Sequence, residues 1–268
     1  MTIKLVFEYE NVKVNFEIFD ERENKEDGAR PLLLLHGWMA KIEAMAPIYF
    51  HYKKTRPVYV IDFPGQAGKS DTLDKTWDVP TYSLMVKAFM ENQNINNCDV
   101  IGHSFGGRVI VYLASNYKEL FNKIVLTDAA GVKSKMTVKK FFKIYSYKFV
   151  KSIYKLFLSK EKFEKKMEEM RKKRGSSDYA SLPNDIMRET FKNIINLDLR
   201  PNLKEINKPT LLIWGENDND TPLYMAKIME KEIKDSGLVI IENAGHFSYL
   251  DNTAKYLLVV DNFLNNNS

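Results

Sequence analysis

Cysteine is almost missing from this chain. Cys98 is the only one in 268 residues, so no internal disulfide can form, and a reducing compartment, the cytoplasm, is the expected setting. Long apolar runs are missing as well. No window approaches 18 apolar residues without a charge, so no membrane-spanning helix and no stable membrane association are expected. The opening residues, MTIKLVFEYENVKVNFEIFD, alternate polar and apolar and carry acids early, which is not the pattern of a secretory signal. There is no internal repeat, and the one biased stretch is the NNNS tail. Histidine is scarce: His36, His51, His103 and His246 are all there are.

What is present is an ordinary globular composition, 44% hydrophobic and 28% charged. The formal charge of +5 is unevenly spread. Residues 133–174 hold 14 Lys and 2 Arg against 4 Glu, a local balance of +12, which leaves the remainder at −7. A basic segment set in an acidic body has a plain explanation, a solvated helix face. It also has sharper ones, attraction of an anionic substrate or contact with an acidic membrane surface. Aromatics lie between these lysines, but no nucleic-acid-binding fold is matched, so no nucleic-acid partner is expected.

Residues 2–9 and 12–19 read as two alternating strands around a tight turn at Asn11. RPLLLLHGW (30–38), RPVYVIDFPG (56–65), CDVIGHS (98–104), KIVLTDAAG (123–131), KPTLLIWGEND (208–218) and GLVIIENAG (237–245) are continuous apolar runs ending in turn residues. Such runs are strands buried on both faces. Helical periodicity falls between them, near 81–95, 105–118, 222–234 and 247–265, with Thr221 as N-cap and Pro222 in the first turn of the third. Strands alternating with helices predict an α/β fold: a mostly parallel, eight-stranded sheet covered on both faces. From 132 to 200 the rhythm stops. Phe142, Tyr145, Phe149, Ile153 and Leu156 stand at helical spacing among lysines, which predicts an inserted helical lid, with one more helix near 184–196. The expected organisation is a core in two parts, 1–131 and 201–268, with 132–200 inserted between them.

Gly102-His103-Ser104-Phe105-Gly106 follows a strand and opens a helix. A serine on so sharp a turn is held in a strained conformation with its hydroxyl projecting from the sheet edge, and the flanking glycines remove Cβ atoms that would collide with neighbours. The free N–H groups of the helix start face any anion that develops there.

This elbow, in this context, resembles that of the α/β-hydrolase family, and the likeness extends over nearly the whole chain. The resemblance implies a chain order of nucleophile, acid and histidine, and hence Ser104 as nucleophile and His246, in ENAGHFSYLDN, as base. It implies an acid at the end of the preceding strand, where Gly215, Asp218 and Pro222 match G-x-x-D-x-x-x-P. Glu216 and Asp220 compete in the same loop, Asp220 as a helix-cap acid, and Asp128 stands at a position from which some relatives draw the acid. The oxyanion donors implied are the backbone N–H groups of Trp38 and Phe105. DFPGQAGKS (62–70) is similar to the family's D-x-P-G-x-G-x-S loop but one residue longer.

Serine at the elbow implies acyl transfer to water rather than epoxide opening or halide displacement. The expected activity is a serine carboxylesterase on small or medium acyl esters, with no metal or organic cofactor, acting as a monomer or homodimer. A carbon–carbon bond hydrolase and a thioesterase remain open on the same residues, as does a ligand-binding relative without catalysis. The substrate expected is a small-molecule ester, an anionic one included.

Overall fold

The computed structural model describes residues 5–25, 28–133 and 182–265, with Lys162 and Lys166. Eight strands form one sheet: β1 Leu5–Tyr9, β2 Val12–Phe19, β3 Leu32–Leu35, β4 Val58–Ile61, β5 Cys98–His103, β6 Phe121–Thr127, β7 Thr210–Gly215 and β8 Ser236–Ile241. Their order across the sheet is β1-β2-β4-β3-β5-β6-β7-β8. β2 runs antiparallel to both β1 and β4, and every pairing from β4 to β8 is parallel. The β1–β2 hairpin turns through Glu10 and Asn11, both at positive φ (48° and 65°), the geometry of a tight primed turn.

The α-helices bounded within the described residues are α1 Ala46–Tyr52, α2 Val79–Asn92, α3 Phe105–Asn116, α4 Asp185–Asn196, α5 Arg200–Leu203, α6 Tyr224–Glu232, α7 Ser248–Asp251 and α8 Thr253–Asn265. Strand side chains alternate between two apolar layers, as a period of two requires. Leu33, Leu35, Val100, Leu126 and Trp214 pack with Val86 and Phe89 of α2, Val109 of α3 and Met225 and Met229 of α6. Leu32, Leu34, Ile101, Val125 and Ile213 pack on the other face with Ile48 and Tyr49 of α1 and Tyr256 and Val260 of α8. All four leucines of β3 are fully buried, each contributing about 2 kcal/mol of apolar burial. The β3 run is apolar without alternation because both of its faces are core.

Three local departures from the sequence reading have physical causes. α1 is an added helix; seven residues containing Pro47 carry too little periodicity to announce one. The last helix is broken at Asn252, whose non-helical backbone (φ −143°, ψ 70°) separates α7 from α8. α6 starts at Tyr224 rather than beside Thr221, because the Thr221 side chain is held by Asp218 and the Asp128 backbone. The helix expected near 184–196 is α4, capped by Asn184 accepting from Met187 N–H at 2.8 Å. The Phe142-to-Leu156 stripe of the expected lid lies outside the described residues.

Candidate active site

β5 ends at His103 and α3 begins at Phe105, so the whole reversal falls on Ser104, at φ 50° and ψ −108°. An L residue reaches that conformation only when its surroundings enforce it. The enforcing contacts are backbone ones: Ser104 N–H donates to Thr127 O at 3.1 Å, and Ser104 O accepts from Ala130 N–H at 2.9 Å. The turn closes only because Gly102 is bare. A Cβ there would stand 2.7 Å from backbone atoms of Gly106 and Gly107. Gly106 in turn presses on the Leu35 carbonyl, leaving no room for a side chain, and its N–H donates to His36 O at 3.1 Å. That bond ties the β3 turn to the elbow.

Ser104 Oγ lies 3.0 Å from His246 Nε2, and His246 Nδ1 lies 2.9 Å from Asp218 Oδ2. His246 sits after β8 and Asp218 after β7, so three strand ends in one parallel array bring the groups together. The Asp218 side chain is fully buried. Its Oδ1 accepts from the Asp220 and Thr221 N–H groups at 2.8 and 2.9 Å, and its Oδ2 lies 2.6 Å from Thr221 Oγ1. Burial pushes the Asp218 carboxyl up, but hydrogen bonds from His246 and Thr221 outweigh it and hold the group below its ordinary value. Burial pulls His246 down, while the hydrogen bond and charge of Asp218, with Asp220 and Asp128 adding, bring it out above the ordinary histidine value.

The competing acids are elsewhere engaged. Asp128 is fully buried at the end of β6, accepting from Gly215 N–H at 2.8 Å and from Ser248 N–H and Oγ–H at 3.0 and 2.6 Å. Burial pushes its carboxyl up to about 7. It braces the two loops that carry Asp218 and His246 and takes no bond from the imidazole. Glu216 accepts from Asn243 N–H, and Asp220 is exposed, meeting the Asp218 carboxylate through its own N–H. Asp218, Asp220 and His246 bring potential metal-ligand atoms within 4.8 Å, but a cation there would have to part the Asp218–His246 bond.

The β3 turn is equally organised. His36 is fully buried; its Nδ1–H donates to Gly37 O at 2.8 Å and its Nε2 accepts from Phe63 N–H at 3.2 Å, which fixes a neutral tautomer. Met39, at φ 54°, donates its N–H to Gln66 Oε1 at 2.8 Å. Among the described residues the Trp38 N–H takes no acceptor, and Phe105, first residue of α3, has no carbonyl one turn earlier to bond. Their rings meet edge to face at 5.5 Å, and Phe191 of α4 packs on Trp38 at 5.4 Å. His51 is remote, paired with Asp261 at 2.9 Å. In the 62–70 loop, Gly65 supplies the positive φ of 76°, and buried Asp62 accepts from Ile42 N–H and Lys69 N–H at 2.8 and 2.9 Å.

Two residues that the sequence reading does not place at the site are Thr221 and Gln66. Asp-x-x-Thr is a legible signal for the first, since an aspartate readily accepts from backbone two and three residues on. Nothing in spacing points to Gln66, which acts across 27 residues.

Comparison with known proteins bears on the same features. The chain is 24% identical to a pimeloyl-acyl-carrier protein methyl ester esterase of Neisseria meningitidis, over 91% of this chain and 97% of that one. It is 24% identical to a 2-hydroxy-6-oxononadienedioate/2-hydroxy-6-oxononatrienedioate hydrolase of a Pseudomonas species, over 77% of this chain and 76% of that one. The solved enol-lactonase of Burkholderia xenovorans LB400 superposes with a TM-score of 0.75 at 17% identity, covering 98% of this chain and 100% of that one. The family model described as alpha/beta hydrolase fold matches residues 30–253, from the strand before the Trp38 turn to the start of α8. With that match, and with the sheet order and elbow already described, the chain belongs to the α/β-hydrolase fold family.

Proposed function

We propose that this chain is a serine hydrolase that cleaves carboxylic esters of small or medium acyl groups through an acyl-enzyme. The observation that carries the reading is the line Asp218–His246–Ser104, with bonds of 2.9 and 3.0 Å ending on a strained elbow. Ser104 Oγ attacks the acyl carbon as its proton passes to His246 Nε2. Asp218 holds Nδ1–H and stabilises the imidazolium. The oxygen that becomes negative is met by the Trp38 and Phe105 N–H groups. His246 then gives its proton to the departing alkoxide, and water repeats the path to release the acid. The lone, buried Cys98 supports the cytoplasm as the working compartment. Residues 132–200 are proposed as a lid insertion between β6 and β7, with α4 at its end already resting on Trp38 through Phe191.

Similarity to the Pseudomonas hydrolase favours one rival, hydrolysis of a carbon–carbon bond by the same residues. Labelling with a fluorophosphonate, beside a Ser104→Ala variant, tests the proposal, followed by a p-nitrophenyl ester series of increasing chain length. Labelling that disappears in the variant, with turnover highest on short to medium esters, is the expected result. A labelled protein that ignores every ester but cleaves a ring-cleavage diketone moves the assignment to the rival. An unlabelled, folded protein points to a ligand-binding role.

Thr221 offers a graded check. Thr221→Val removes the hydroxyl beside Asp218 Oδ2 and keeps both backbone donors on Oδ1. One lost hydrogen bond of about 1–1.5 kcal/mol corresponds to roughly a tenfold loss in kcat. Steady-state kinetics on one ester read it directly; an unchanged kcat would make Thr221 a bystander.

A further inference from the structure

We infer that His103 is a positioning residue for the base: its Nε2–H holds the main-chain carbonyl of His246, so that the His246 imidazole keeps its aim at Ser104. The inference rests on the serine-hydrolase reading above. His103 is the last residue of β5, directly before Ser104, and only 2% exposed. Its Nε2 lies 2.7 Å from the His246 carbonyl oxygen. A carbonyl can only accept, so Nε2 carries the proton and Nδ1 is bare. Nδ1 faces Gly37, where a Cβ would stand 2.7 Å away, and no described group donates to it. One ring edge of His103 is therefore bonded to the loop that carries His246, and the other lies against the bare Gly37.

The surroundings suit a fixed, uncharged ring. His103 packs against His246, Phe247 and Tyr249 at centroid distances of 4.9, 5.0 and 5.2 Å. Burial, with the neighbouring His246 adding, pushes His103 down to about 3, so it stays neutral while His246 passes through its cation. A second cation at that distance would oppose the imidazolium; a neutral ring does not. The His246 side chain is gripped at Nδ1 by Asp218 and faces Ser104 at Nε2, and its backbone is gripped by His103. The elbow thus orients its own partner.

His103→Phe removes the donor and keeps a ring; His103→Gln keeps an amide donor of similar reach. Both are compared with wild type for fluorophosphonate reaction rate, kcat and KM on one ester, the acid limb of the kcat/KM profile, and thermal midpoint. The Phe variant is expected to lose about 10- to 100-fold in reaction rate and kcat together, the scale of a base displaced by an ångström. KM stays within about twofold. Its acid limb moves to lower pH, because a base loosened from Asp218 loses the carboxylate's upward pull. Gln restores rate and limb. A folded Phe variant with wild-type rate and limb overturns the inference, as do Phe and Gln variants equally slow with unshifted limbs, which would mean packing alone. A wild type inert to the phosphonate sinks the hydrolase reading itself.

Discussion

Asp218→Asn is expected to lower kcat on an activated ester by about 10⁴-fold while the fold survives. Asp218 Oδ1 receives two backbone N–H groups, from Asp220 and Thr221, which only an oxygen can satisfy. In the variant the amide oxygen must take that place. The amide NH₂ then occupies the Oδ2 position and faces His246 Nδ1. A donor there selects the imidazole tautomer with its proton on Nε2, so Ser104 meets N–H instead of a lone pair. The cost in stability is smaller, since Thr221 Oγ1 has the Asp128 carbonyl at 2.9 Å as a second acceptor. Asp128→Asn separates the two acids. It would set an NH₂ against either the Gly215 N–H or the Ser248 donors, costing about 1–3 kcal/mol of stability and leaving the Asp218–His246 bond in place. If Asp128→Asn removes the activity and Asp218→Asn does not, Asp128 is the acid.

The same substitution has a signature in pH. As the proposed base, His246 would act only when neutral, and its folded value lies above the ordinary 6.5 chiefly because Asp218 outweighs burial. The acid limb of kcat/KM is therefore expected above pH 6.5 in the wild type, with activity lost as pH falls through it. Asp218→Asn removes the charge that lifts the imidazole and leaves the burial that lowers it. Its residual activity should titrate below the wild-type limb. An unshifted limb would mean that Asp218 does not face the titrating base.

What can be read from the chain depends on whether a feature is local. LLLL at 32–35 and VYVI at 58–61 announce strands because both faces of the sheet are core, so no polar residue interrupts them. The elbow is legible because its glycines and serine fall within five residues, from Gly102 to Gly106, even though the carbonyl that keeps Gly106 bare belongs to Leu35 of β3. The tight hairpin turn at Asn11 is legible for the same reason. Pairings across the sheet are not. The His103 bond to the His246 backbone joins residues 143 apart, and the Asp128 bonds to Ser248 join residues 120 apart; no spacing encodes either. Thr221 misleads for a subtler reason. A threonine before a proline is a good helix cap by local rules, but Asp218, three residues earlier, competes for its hydroxyl and wins, and the helix starts later.

Ser104→Gly is expected to abolish turnover and to raise the thermal midpoint, both through removal of the one side chain. Loss of the proposed nucleophile is expected to cost about 10⁶-fold in kcat. The stability gain comes from φ 50° and ψ −108°, which strain any residue with a Cβ by about 1–3 kcal/mol and glycine scarcely at all. Glycine's extra freedom in the unfolded chain takes back about 0.5–1 kcal/mol. Taking both terms at mid-range, the net is about 1 kcal/mol, or a rise of roughly 2–4 °C for a chain of this size. Ser104→Ala is the control, equally inactive but still strained, so its midpoint stays near wild type. A glycine variant that melts no higher than the alanine variant would mean the elbow stores no strain. A higher midpoint would mean that the sheet and α3 hold the hydroxyl out toward His246 against the backbone's own preference, and that the fold gives up stability for that position.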